Sequence, residues 1–469
     1  MISRLGLRLS DVFRKTAPDP FVLAIVLSIV TLVLALLLGF PTRTGPRPAL
    51  ADRAVSLLDS WRAGDGLWKF LAFGMQMCLI LVTGHALASS GPVRRGLDRL
   101  ARLPRSTATG AAMIGLVACL AALVNWGLGL IVGALLARDV GRSLHARGIR
   151  AHYPLLCAAG YMGLLVWHGG LSGSAPLSVT TPEGAATVLP DDALAQLGRS
   201  GIGLGGTIFS PMNLFISLGL LVIVPIVLAL LAPKGTERVT GIEAFRISAP
   251  PQTERVDAQG RSTIPDRLEN SPVLAWVLAI PLLLGLVRSA QTTGLGRIGL
   301  NEVNATMLAL GLILHASPRS YLRAVEEAAR GCAGIILQFP IYAGIMAMLV
   351  ASGLVAMFAG SLAGVGGEAG TPLLTFLSAG VVNLFVPSGG GQWGIQGPIA
   401  LRAGLDAGIA PGKMVMAVAY GDELTNMLQP FWALPLLAIT GVRARDIVGY
   451  TAIVMVVAGV WMAIGLVVF

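Results

Sequence analysis

The sequence predicts an all-α polytopic membrane protein made of two inverted-topology repeats, with about nine spans and two re-entrant hairpins. Three observations carry that expectation. Hydrophobic residues make up 55% of the 469 positions and charged residues only 12%, about half the charged share of an ordinary soluble domain. The apolar residues gather into runs that suit helices of ~20 residues, the length a bilayer core demands, and not into the short alternating segments of a membrane barrel. The second half of the chain repeats, in order, a set of polar landmarks found in the first.

Residues 1–18 space apolar side chains at roughly helical intervals between Arg4, Arg8, Arg14 and Lys15. That pattern predicts an interfacial helix leading into a retained span, without the small-residue cleavage site of a signal peptide. The first repeat then occupies 19–232. Apolar runs at 20–41 and 67–90 are spans, and the polar stretch between them holds a surface helix near Leu57–Trp61. Arg94, Arg95, Arg99, Arg102 and Arg105 mark a cytoplasmic loop by the positive-inside rule.

The run 107–137 lies between that loop and Arg138, Arg142, Arg147 and Arg150, so both of its ends belong in the cytoplasm. Its 31 residues are too few for two crossings, and one crossing would carry four arginines outside. A re-entrant hairpin resolves the conflict, with its tip at Asn125-Trp126-Gly127-Leu128-Gly129. Spans follow at 152–178 and 205–232. Residues 233–269, with six basic and six acidic side chains, form a solvated cytoplasmic linker.

The second repeat, 270–469, has spans at 272–290, 298–317 and 333–357, and a hairpin at 372–400 that enters from outside because the loop before it holds no basic residue. Spans at 411–440 and 447–468 complete it. The topology places the N-terminus in the cytoplasm and the C-terminus in the periplasm of a bacterial inner membrane. The net charge of +10 resides in the short loops, so no nucleic-acid partner is implied. Cys78, Cys119, Cys157 and Cys332 lie in or beside apolar runs without paired spacing, which predicts buried free thiols.

The repeat is read from matched landmarks. Gln76 and Ser90-Gly91 match Gln338 and Ser352-Gly353; Val124-Asn125 matches Val382-Asn383; Tyr161 and Pro176 match Tyr420 and Pro435. The offsets are 262, 258 and 259, so the order survives with only small indels. One extra span precedes the second hairpin, which inverts the copies. Broken helices in inverted repeats place a substrate near the midplane, where the repeats meet.

Four elements should therefore converge. The first hairpin offers Asn125, Gly127 and Gly129; the second offers Asn383, Ser388, Gly389, Gly390, Gly391 and Gln392. Glycines at a hairpin tip expose backbone N–H groups, and helix N-termini add positive potential, which suits a carboxylate. Close helix packing is the alternative use of such glycines. The interrupted spans WHGGLSGSAP and YGDELTNMLQP add Ser172, Ser174, Thr425, Asn426 and Gln429, which suit a carboxylate or an ion such as Na+. Asp422 and Glu423 would couple transport to H+ or Na+, because an acid at the centre of a span costs ~2.5–3.5 kcal/mol; the alternative is that they reach water at the span's outer end. His168 titrates near neutral pH unless it is a satisfied structural histidine. Gln76 and Gln338 either line the pathway or join helices. No cofactor is expected.

At these segments the sequence resembles the bacterial short-chain fatty acid transporter family. The resemblance runs nearly end to end, through PDPFVLAIVLS, LAFGMQMCLILVTGHALASS, NWGLGLIVGALLARDV, QFPIYAGI, VPSGGGQWGIQGP and QPFWALPLLAI. It implies uptake of acetoacetate-like or butyrate-like monocarboxylates and a place in the ion transporter superfamily, with homodimers and an elevator motion in several members. Two positions depart from the family pattern, where glycine is usual at His168 and histidine at Gln392. The leading expectation is a cation-coupled symporter of short-chain carboxylates in a lipid bilayer. A cation exchanger of the Na+/H+ antiporter type, working through Asp422 or Glu423, is the runner-up. An intramembrane hydrolase using Ser172 or Ser174 with His168 and Asp422 is a distant third, since neither G-x-S-x-G nor H-E-x-x-H is present.

Overall fold

Proline and short polar caps set most helix starts. Asp19 accepts the Phe21 N–H ahead of Pro20, Ser210 accepts the Asn213 N–H ahead of Pro211, and Ser317 accepts the Ser320 N–H ahead of Pro318. Each satisfies a backbone donor that a helix N-terminus would otherwise leave open, and proline needs no donor at the first helical position. The computed structural model describes residues 7–9, 11–12, 15, 18–41, 46–186, 201–235, 239–245, 263–293, 300–361, 367–386 and 388–469. The described residues are helical with connecting turns, and no strand occurs among them.

The first half contains α1 (Pro20–Leu38), α2 (Leu50–Arg62), α3 (Leu71–Ser89), α4 (Gly91–Arg102), α5 (Thr107–Val124), α6 (Trp126–Ala146), α7 (Tyr153–Gly160), α8 (Ser174–Ser178) and α9 (Pro211–Leu231). The second contains α10 (Pro272–Thr293), α11 (Leu300–His315), α12 (Pro318–Ala329), α13 (Ala333–Ala351), α14 (Leu354–Ser361), α15 (Gly367–Asn383), α16 (Gly389–Asp406), α17 (Pro411–Thr425), α18 (Pro430–Thr440) and α19 (Ala444–Val468).

Seven described helices are long and apolar enough to cross a membrane. Six of them coincide with expected spans; the seventh is α5, an arm of the first hairpin. The three other expected spans are not single long helices. Residues 152–178 break into α7, two 3-10 turns (Met162–Leu165 and Trp167–Gly169) and α8. Residues 411–440 break into α17 and α18 around a 3-10 turn at Asn426–Leu428, and α11 has 16 residues.

The structure corrects three boundaries. The arginines at 94–102 are not in a loop but on the strongly amphipathic α4. The apolar run that ends at 137 continues as helix to Ala146, so Arg138 and Arg142 are helical. The span expected over 333–357 ends at Ala351, because Gly353 at φ +74° turns the chain into α14. The surface helix near Leu57–Trp61 is α2. Most of the interfacial helix expected over 1–18, and residues 236–238 and 246–262 of the linker, lie outside the described residues.

Packing between the halves is reciprocal. Helices α1 and α2 of the first half pack on α13 of the second, while α11 and α12 of the second pack on α3 of the first. The two arms α5 and α6 pack against each other and on α7; α15 and α16 pack against each other and on α17. Glycines let these contacts close to backbone distance: a Cβ on Gly133 would stand 2.1 Å from the Gly160 carbonyl, and one on Gly421 would stand 2.2 Å from the Phe376 carbonyl. Outward faces are apolar, with Val273, Val277 and Leu284 of α10 each more than 60% exposed. Such a surface suits lipid and not water.

Candidate functional site

The first hairpin turns on one residue. Asn125 is extended (φ −155°, ψ 130°), and its Oδ1 accepts the N–H groups of Gly127 (2.9 Å) and Leu128 (3.2 Å). The Trp126 N–H donates to Ser172 Oγ at 3.0 Å, and the Gly129 N–H to the Asn125 carbonyl at 3.0 Å. All four leading N–H groups of α6 are thus satisfied inside the protein. Gly129 serves close packing, since a Cβ there would lie 2.5 Å from that of Ala122. The tip is also tied to the interrupted span of its own half, where the Leu171 N–H donates to the Leu123 carbonyl at 2.7 Å.

The second tip is built differently. Ser388 caps α16 through the Gly391 N–H (3.1 Å), and its carbonyl accepts the Gln392 N–H (2.7 Å). The N–H groups of Gly389 and Gly390 have no acceptor among the described residues. Gly390 faces open space. Gly389 is buried, and a Cβ on it would meet Trp167 Cη2 at 2.8 Å and His168 Cε1 at 3.1 Å. Gln392 is fully buried and donates to the Ala379 carbonyl and to Gln396 Oε1, both at 2.9 Å.

Behind Gly389 lies a buried polar cluster. His168 is 0% exposed, and Asp422 and Glu423 are each 1% exposed, so the acids do not reach water at a span end. The His168 N–H donates to Glu423 Oε2 at 2.8 Å. The Ala175 N–H donates to His168 Nε2 at 3.0 Å, which leaves Nδ1 as the ring's protonated nitrogen. Nδ1 stands 3.3 Å from Asp422 Oδ1, within ion-pair distance but out of line for a hydrogen bond. Asp422 Oδ2 has no hydrogen-bond partner among the described residues. No Lys or Arg pairs with either acid among the described residues.

Asn383 joins hairpin to span. Its Nδ2 reaches the Asp422 carbonyl (2.6 Å), Asn426 Oδ1 (2.9 Å) and Thr425 Oγ1 (3.0 Å), while Gln429 Nε2 donates to the Asn383 carbonyl. Tyrosines then stitch one half to the other. Tyr161 OH donates to the carbonyls of Asn426 (2.8 Å) and Gln429 (3.0 Å). Tyr420 OH donates to Asn213 Oδ1 (2.9 Å), whose Nδ2 holds the Gly169 carbonyl (2.9 Å).

The structure therefore gathers His168, Asn383, Gly389, Asp422, Glu423, Thr425, Asn426 and Gln429 into one linked region. Asn125 and Ser172 each cap the start of α6 at the first tip, through the N–H groups of Gly127 and Leu128 and of Trp126 respectively, and Ser174 is half-buried with no side-chain bond among the described residues. Gln76 joins helices, donating to Asn301 Oδ1 at 2.8 Å. Sequence reasoning missed Asn213, which reads as one polar residue in an apolar span. It also missed the aromatic layer between the tips, where Trp126 lies edge-on to Trp432 (5.3 Å) and Trp167 (6.3 Å). Arg445 was missed as well. It is half-buried, has no ion-pair partner among the described residues, and lines a largely apolar cavity of about 270 Å3 with Tyr161, Met427 and Gln429. Among the described residues no group of three or more His, Cys, Asp or Glu side chains could hold a metal ion.

The family model described as "Short chain fatty acid transporter" matches residues 1–469. An Escherichia coli (strain K12) protein, named for a proposed role as a short-chain fatty acid transporter, is 38% identical over 475 residues and 100% of both chains. A Haemophilus influenzae protein of the same name is 36% identical over 468 residues and 99% of both chains. Among solved structures, Neisseria gonorrhoeae MtrF, titled as illuminating a class of antimetabolite efflux pumps, aligns over 98% of this chain and 96% of its own, at 16% identity and a TM-score of 0.44. The Alcanivorax borkumensis YdaH transporter aligns over 96% of this chain and 97% of its own, at 18% identity and a TM-score of 0.46. Likenesses that loose transfer neither topology nor site.

Proposed function

The chain belongs to the short chain fatty acid transporter family, and we propose that it is a secondary active transporter that takes up short-chain monocarboxylates, of acetoacetate or butyrate type, coupled to H+ or Na+. One observation carries the reading: Gly389, at the helix N-terminus with open N–H groups, packs directly on His168, which faces the buried Asp422. An anion held by the Gly389 and Gly390 N–H groups would sense the charge of that cluster across a single contact.

The cluster favours a proton as the coupling ion. Two buried carboxyl groups with one imidazole and no Lys or Arg partner are desolvated at least cost when a proton is held among them. Asn125 and Ser172 then hold the first tip rigid instead of donating to substrate. Reciprocal packing of the halves supports two inverted repeats with re-entrant hairpins. The N-terminus is cytoplasmic, the C-terminus periplasmic, and the transporter is a homodimer in this proposal.

Ligand binding to the purified protein tests the site. Butyrate and acetoacetate should raise its thermal-unfolding midpoint, more at acid than at alkaline pH, and Ser388→Ala should weaken the effect by uncapping α16. Protection that is equal at all pH values, or equal with chloride, would count against the proposal. Cation exchange without carboxylate binding would favour the exchanger reading of Asp422 and Glu423.

A further inference from the structure

The open end of the first hairpin encloses a cavity of about 540 Å3 that the transport reading does not use. It lies among the end of α3, helix α4 and the last turns of α6, with Glu327 of α12 on one wall. Arg94 and Arg102 stand two turns apart on α4, and Arg138 and Arg142 one turn apart on α6, so two arginine faces meet across it. Arg147 is the fifth, anchored on the carbonyls of Arg102 (3.0 Å) and Pro104 (2.6 Å).

Asp98, Asp139 and Glu327 line the same space, so five arginines against three carboxylates leave two positive charges in excess. Arg138 is held by Asp139 at 2.9 Å, whereas the guanidinium groups of Arg94 and Arg102 have no partner among the described residues. Deeper in, His85 Nε2 and Glu327 Oε2 are buried without hydrogen-bond partners, 3.8 Å apart. The positive-inside rule explains arginines at this end of the chain, but not their facing one another around a void. Like charges so arranged repel unless an anion lies between them.

We propose that this cavity binds a phosphate-bearing anion. A phosphate group presents several strong acceptor oxygens to guanidinium forks, and an excess of two positive charges exceeds what one carboxylate neutralises. The cavity is also remote from the hairpin tip: Arg138 is thirteen residues along α6 from Asn125, roughly 20 Å at the helical rise. The phosphate has two sources. An anionic phospholipid headgroup is one, and inorganic phosphate, which carries the same chemistry without acyl chains, is the other.

The test uses the full-length protein in detergent, with phosphatidylglycerol against phosphatidylcholine and inorganic phosphate against chloride, read as thermal protection. Arg94→Gln with Arg102→Gln, both at exposed positions, should weaken binding of the effective anion at least about tenfold. Protection by phosphatidylglycerol alone identifies a lipid headgroup, and protection by phosphate alone a soluble ligand. A wild-type protein protected by neither anion overturns the proposal, as does a double variant that binds like the wild type. The wild-type arms decide the matter even if the double variant fails to fold.

Discussion

Replacing Asn383 should distinguish a built junction from a loose contact. Its two Nδ2 protons face three acceptors, so two good hydrogen bonds form at a time, in a site 0% exposed. At about 1 kcal/mol net for each bond, Asn383→Ala costs about 2 kcal/mol, and more where the Asp422 carbonyl is left buried and unpaired. Asn383→Asp is nearly isosteric but puts an acceptor oxygen against the Asp422 carbonyl and Asn426 Oδ1, and adds a negative charge beside two buried acids. Its cost should reach about 3–5 kcal/mol, the range for an uncompensated buried charge. Thermal unfolding of the three purified proteins should rank wild type above Ala and Ala above Asp, with carboxylate binding lost in the same order. An Asp variant as stable as the wild type would refute the donor assignment at Nδ2 and the junction built on it.

Three further outcomes follow from the same geometry. Gly389→Ala pushes a methyl into Trp167 and His168, at a cost of about 1–3 kcal/mol; tryptophan fluorescence should shift and carboxylate binding should fall, and unchanged values of both would contradict the packing of the second tip. Asn125→Ala removes the cap of α6 and should cost about 1 kcal/mol, whereas Asn125→Ser should recover most of it; equal losses measured by thermal unfolding would mean that capping is not its role. Asp422→Asn removes the carboxylate facing His168, so uptake in vesicles should lose its dependence on a pH gradient while exchange of labelled for unlabelled substrate persists. Gradient-driven uptake that survives in full would remove Asp422 from coupling.

Much of the chain was legible because charge and hydropathy act on whole segments. The conflict around 107–137 places a turn near Asn125, and α5 ends and α6 begins at that residue. The same reasoning misplaced the end of that arm, because Arg138 and Arg142 look like loop residues until helix α4 is seen packed beside them to form the basic cavity. Glycine-rich tips were also legible, but their hydrogen bonding was not. Asn125 spends its side chain on the N–H groups that the sequence offered to a ligand, whereas Ser388 reaches only Gly391 and leaves Gly389 and Gly390 open. Composition cannot separate those cases, because both are polar caps before glycine. Arg445, Asn213 and the tryptophan layer gain their meaning from partners far apart in the chain, which no local pattern encodes.

Uptake of labelled butyrate or acetoacetate into proteoliposomes, with an imposed proton or sodium gradient, tests the central claim most directly. The account predicts accumulation above the external concentration with an inward proton gradient, abolished by dissipating it and competed by other short-chain monocarboxylates. Carboxylate entry that only equilibrates, or that proceeds unchanged with no ion gradient, would contradict it.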